Sequence, residues 1–161
     1  MMTTEFVYTT YIRTTPEKVW DAITNPEFCR QYWVHFNVSD WKKGSTWQHI
    51  SAEHGNALIV GEVLEILPPN RLVLSWVSPG DTAPKSEHSR VTFEITTIED
   101  MVCLNVIHSN LKVGSDMAGK IANGWPRVLS SMKSLLETGK PLNTMAGKTD
   151  CSKPSTADKV A

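Results

Sequence analysis

The chain is 161 residues long, which at roughly 100–200 residues per domain leaves room for one domain. A hydrophobic share of 40% and a charged share of 20% are those of a globular protein and argue against wholesale disorder. Sixteen Lys and Arg against 17 Asp and Glu leave a formal net charge of −1, so no strong basic field draws in nucleic acid or an anionic membrane.

The N-terminal run alternates apolar and polar residues without the basic and apolar regions of a secretory signal, and no stretch approaches the ~20 apolar residues of a membrane span. A cytoplasmic location without membrane insertion is therefore expected. The run predicts a strand over 6–12, with Phe6, Tyr8 and Ile12 at even spacing. Thr15 then caps a helix that has Pro16 in its first position and Val19, Trp20 and Ile23 on one side. Asn25-Pro26 stops it and starts a second short helix over 27–32.

Six strands follow, over 35–39, 45–51, 57–66, 71–77, 88–97 and 101–110. Turn signals at Lys43-Gly44, His54-Gly55-Asn56, Pro68-Pro69-Asn70, Ser78-Pro79-Gly80-Asp81 and Glu99-Asp100 separate them. Leu72, Leu74 and Trp76 share one face of their strand, as do Val91, Phe93 and Ile95, and then Val102, Leu104, Val106 and His108. Such alternation belongs to an antiparallel sheet with one covered side. The polar partners Thr92, Glu94 and Thr96 show no apolar patch on its outer side.

The longest helix signal covers 115–138, where Ile121, Trp125, Val128, Leu129, Met132, Leu135 and Leu136 form one apolar stripe. Gly139 sits at the C-cap position, and the interior Pro126 predicts a bend near 123–126. From Gly139 onward there is no apolar periodicity and no aromatic residue, so a domain over 1–142 and a disordered tail over 143–161 are expected.

Cys29, Cys103 and Cys151 make no CxxC pair, which fits a reducing compartment without structural zinc. His49, Glu53 and His54 lack a nearby third histidine, so no metal site is assigned. No G-x-S-x-G, Walker A or dinucleotide-binding motif occurs, and neither a cofactor nor a catalytic residue is assigned.

A curved sheet with a long helix laid across it satisfies every apolar face, and where the sheet does not close on the helix it leaves a cavity. Trp76, Phe93, Val106, Trp125 and Met132 face inward, to line that cavity or to pack on one another. Trp47 and His49 share a face and could form the opposite wall. His108 continues an apolar face inward, where an imidazole orients a ligand oxygen, exchanges a proton, or simply sits hydrogen-bonded at the rim. Glu62 and Glu65 fall on opposite faces of a regular strand, so one of them would face inward beside His108 unless a bulge intervenes.

Three segments carry a family resemblance: TTPEKVW over 14–20, LPPNRLVLSW over 67–76, and Gly124-Trp125 followed by Leu136-Glu137-Thr138-Gly139. In this order they resemble the START-like superfamily with the helix-grip, birch-pollen-allergen-like fold. Within it they are similar to the branch of homologues of the activator of heat shock protein 90 ATPase, over residues 5–142. The resemblance implies an α+β helix-grip fold, with a curved seven-stranded antiparallel sheet wrapped around a long C-terminal helix and two short helices after the first strand. It also implies a cavity that in relatives receives hydrophobic or amphipathic molecules. Lipid carriers, plant-hormone binders, aromatic polyketide cyclases and cochaperone domains share the fold.

The expected function is binding of a small apolar or amphipathic ligand by Trp47, His49, Trp76, Phe93, Val106, His108, Trp125 and Met132, under a lid formed by the short helices with Trp33 near the entrance. One alternative is a cyclase- or dehydratase-like enzyme acting on an aromatic or polyketide substrate. A second is a chaperone-regulating or stress-response interaction module. A chaperone partner is disfavoured because the cochaperone carries an additional N-terminal domain with no counterpart here; a homodimer stays open.

Overall fold

The computed structural model describes residues 2–142; the expected tail over 143–161 lies outside the described residues. Strand β1 (Thr3–Ile12) turns Phe6, Tyr8 and Ile12 toward the core, while Val7 and Tyr11 stay half exposed on the other side. Helices α1 (Pro16–Thr24) and α2 (Pro26–Tyr32) each open on a proline. Thr15 Oγ1 accepts from Lys18 N–H and Asn25 Oδ1 from Glu27 N–H, so the first turns are capped where proline has no N–H to leave unsatisfied.

The remaining strands are β2 (His35–Ser39), β3 (Thr46–Ser51), β4 (Ala57–Leu67), β5 (Arg71–Trp76), β6 (Ser89–Ile98) and β7 (Met101–Lys112). They form an antiparallel meander, and β1 closes the order as β1-β7-β6-β5-β4-β3-β2. The α1–α2 segment carries the chain from one edge of this seven-stranded sheet to the other. Helix α3 (Asp116–Thr138) then crosses the concave face. Ser115 caps its start, and Gly139 at φ 79° ends it in the left-handed region, its N–H bonding the Leu135 carbonyl at 2.9 Å. The helix runs as one element through Pro126.

The two halves of α3 do different things. Leu129 and Met132 join Leu72, Phe93, Leu104 and Val106 in the buried core. Glu137 accepts from Arg13 N–H at 3.1 Å, and Lys133 Nζ donates to the Tyr11 carbonyl, which pins the C-terminal half to the end of β1. The N-terminal half lies over the region where the sheet curves away.

Two register irregularities accompany that curvature, between His49 and Ile50 on β3–β4 and between Val63 and Glu65 on β4–β5. The second is the bulge that the sequence left open as the alternative to an inward glutamate. Glu62 instead accepts from Lys85 Nζ at 3.0 Å and Glu65 from Arg71 Nε at 2.9 Å, with both carboxylates partly exposed. Opposite Trp47, a Cβ on Gly61 would lie 2.0 Å from the Ser75 carbonyl oxygen and 2.5 Å from the indole nitrogen. Only glycine lets Trp47 cross β4 and donate to that carbonyl at 2.8 Å. Among the described residues no helix is long and apolar enough to cross a membrane.

Candidate functional site

Beneath the N-terminal half of α3 lies a cavity of about 450 Å³. The sheet contributes His35, His49, Ile59 and Trp76, the end of α2 contributes Trp33, and α3 contributes Ile121, Trp125 and Val128. Three indoles thus meet around it. The ring centroids of Trp33 and Trp125 are 5.7 Å apart and edge-on, those of Trp76 and Trp125 are 5.5 Å apart, and the His49 ring lies 4.4 Å from Trp33. These are favourable aromatic pair distances, so the wall is held by its own packing. A more open depression of about 570 Å³ between α1 and the Pro68–Pro69 turn holds no histidine or buried polar group.

Ser78, Lys120 and Arg127 also line the space, and two hydrogen-bond chains bring histidines to its aromatic wall. The first begins at the Ile23 carbonyl, which accepts from Asn37 Nδ2 at 2.8 Å. Asn37 Oδ1 lies 2.8 Å from His49 Nδ1, and His49 Nε2 lies 3.0 Å from Nδ1 of His35, which is only partly buried and lines the cavity. The β2–β3 register sets this alignment by placing Asn37 directly opposite His49. Burial drives the His49 pKa down to about 3, helped by the neighbouring His35, whose own pKa burial also lowers.

The second chain is closed. Trp125 Nε1 donates to His108 Nδ1 at 3.3 Å, so the imidazole proton sits on Nε2 and is given to Ser89 Oγ at 3.0 Å. Ser89 passes its own proton to the Trp76 carbonyl at 2.9 Å. His108 is fully buried, both nitrogens are used, and burial lowers its pKa to about 3. Such an imidazole ties Trp125 on α3 to the strand that carries Trp76 and has no free nitrogen for a ligand. The Trp76 indole N–H is itself buried without a hydrogen-bond partner, ringed by Trp47, His49, His108 and Trp125.

Residues 13–137 match the sequence profile of the family described as Activator of Hsp90 ATPase homolog 1-like protein. The chain belongs to that family. No curated protein sequence matches it. Among solved structures, protein MLL2253 from Mesorhizobium loti is 27% identical with a TM-score of 0.69, over 83% of this chain and 96% of that one. The Aha1 dimer from Colwellia psychrerythraea is 22% identical with a TM-score of 0.71, over 85% and 98%. PFC0360w, an Hsp90 activator from Plasmodium falciparum, is 22% identical with a TM-score of 0.68, over 82% and 95%. The last two comparisons establish a shared fold.

In this member of the Hsp90-ATPase-activator-homologue family, the residues singled out from sequence divide into two sets. His49, Trp76 and Trp125 line the cavity. Trp47, Phe93, Val106, His108 and Met132 are buried in the core, away from that lining. The face of β3 left open by the sequence resolves as Trp47, His49 and Ser51 inward, with Thr46 and Gln48 exposed. Trp33 lies on the cavity wall. The sequence reasoning missed His35 and Asn37, whose alternation on β2 matches that of His49 on the facing strand. Glu53 and His54 pair with each other on an exposed turn, and among the described residues no cluster of three metal-ligating side chains forms. Burial pushes the Cys29 thiol up to about 11, so it is unreactive at neutral pH.

Proposed function

We propose that the protein binds a small apolar or amphipathic molecule in the cavity beneath the N-terminal half of α3. The observation that carries this reading is a space of about 450 Å³ walled by Trp33, Trp76 and Trp125, within the size range of small-molecule sites. Burial of apolar surface supplies the affinity at ~25 cal/mol per Å², and the His35–His49 chain is a partly buried polar point on a wall that Ser78, Lys120 and Arg127 also line. Trp33 at the end of α2 makes the α1–α2 segment the lid over the entrance.

An acid/base enzyme finds less support, because Glu62 and Glu65 are engaged by Lys85 and Arg71 while both nitrogens of His108 are occupied. Chaperone-ATPase activation is the second reading, favoured by the family match over 13–137, and it would show as stimulation of a chaperone ATPase by the purified chain.

The test of the cavity reading is native mass spectrometry of freshly purified protein, paired with titration of the apolar dye anilinonaphthalene sulfonate. The expected result is saturable dye binding that tryptophan fluorescence reports, or a bound mass lost on denaturation. A chain that carries no extra mass and shows no saturable dye binding would overturn the reading.

A further inference from the structure

We infer that the cavity recognises its ligand through Nε2 of His35 acting as a hydrogen-bond acceptor, and that it therefore selects an aromatic ring bearing a hydroxyl donor. The inference rests on the cavity-binding reading and specifies the class of ligand.

The proton positions are set from the buried end of the hydrogen-bond chain outward. A carbonyl oxygen only accepts, so the group facing Ile23 O at 2.8 Å is the amide nitrogen of Asn37, and Oδ1 is left facing His49. That oxygen also only accepts, which puts the His49 proton on Nδ1. A neutral imidazole has a single N–H, so His49 Nε2 must accept, and the donor is His35 Nδ1 at 3.0 Å. By the same count His35 carries no proton on Nε2. Among the described residues no group bonds that nitrogen, and His35 lines the cavity. One carbonyl deep in the core thus fixes, through two side chains, the polarity of His35 on a wall that Ser78, Lys120 and Arg127 also line.

Burial lowers the affinity of both rings for a second proton, which keeps the chain in this neutral arrangement at physiological pH. The body of the ligand follows from the walls. Trp33, Trp76 and Trp125 offer indole faces and edges, for which a flat aromatic ring is the complement. A ketone, ether or ester oxygen meets a lone pair at His35 and gains nothing there, whereas a phenolic O–H gains a hydrogen bond shielded from water.

The experiment compares 2-naphthol with 2-methoxynaphthalene by equilibrium dialysis against the wild-type chain and His35→Phe. One ring and two oxygen substituents, crossed with two proteins, form a cycle that isolates the hydroxyl–imidazole contact from general hydrophobicity. The preference for naphthol over its ether is expected to fall about tenfold in His35→Phe, the size of one buried hydrogen bond. If both probes bind and the preference is the same within twofold in the two proteins, this inference is overturned while the cavity reading stands. If neither probe binds wild type, this inference is overturned, and the dye titration with native mass spectrometry decides the cavity reading separately. Independently of any variant, long-range proton–nitrogen NMR of the wild type should show His35 with an unprotonated Nε2, and a proton there would overturn the inference.

Discussion

His108 and His49 sit on the same concave side of the sheet, both buried, both with pKa values driven down to about 3 by burial. They differ in where their hydrogen bonds end. From His108 the chain passes through Ser89 to the Trp76 carbonyl, while Trp125 fills its other nitrogen. From His49 it passes inward to Asn37 and outward to His35, which lines the cavity. A shifted pKa is common to both and so does not separate them; what separates them is the end that opens on the cavity. The closed chain serves the open one, since Trp125 and Trp76 belong to the His108 network and also form the cavity wall.

Acid should dissolve what the two histidines share. Each has a folded-state pKa near 3 against about 6.5 unfolded, so the unfolded chain binds more protons between those values. Their contribution is complete above about pH 6.5 and is lost as the pH falls toward 3. At pH 4.5 the two together should cost about 5 kcal/mol of stability, roughly 1.36 kcal/mol per histidine per unit of pH below the unfolded value. Urea unfolding at pH 7 and pH 4.5 measures the difference. A stability flat across that interval would mean that the rings are not held neutral.

The closed network can also be broken alone. His108→Ala removes a buried ring and leaves the Trp125 N–H and the Ser89 hydroxyl each short of a partner. A loss of about 4 kcal/mol at pH 7 is expected, with a shallower acid dependence because one of the two titrating rings is gone. A loss below about 1 kcal/mol would show that water or a neighbour takes over those bonds.

How far the sequence reached follows the same division. The alternation Val102, Leu104, Val106, His108 requires only a period of two, and it put His108 on the covered side correctly. The proline-started helices, the meander and the Gly139 cap were readable for the same reason, because each depends on neighbours in sequence. His35 was not, because it is the first residue of a five-residue strand, too short for its alternation with Asn37 to say which face is covered. Its role depends on the β2–β3 register and on an amide fixed by a carbonyl 14 residues upstream. The orientations of Glu62 and Glu65 turned on a bulge between Val63 and Glu65, where period-two reasoning fails by construction.

The smallest stability effect separates the two networks most sharply. His35 is only partly buried, and His35→Ala removes a ring from the edge of a cavity that water can enter. Among the described residues the one group left unpaired is His49 Nε2, which a cavity water can serve. A stability change of less than about 1 kcal/mol at pH 7 is therefore expected, against about 4 kcal/mol for His108→Ala. The acid dependence should shift in a definite direction. Loss of the His35 charge relieves the repulsion that helps hold the His49 pKa down, so that pKa should rise and less stability should be lost at pH 4.5 than in wild type. Should His35→Ala instead cost as much as His108→Ala, the chain through His49 would be a second closed structural network, and the contrast between the two histidines would disappear.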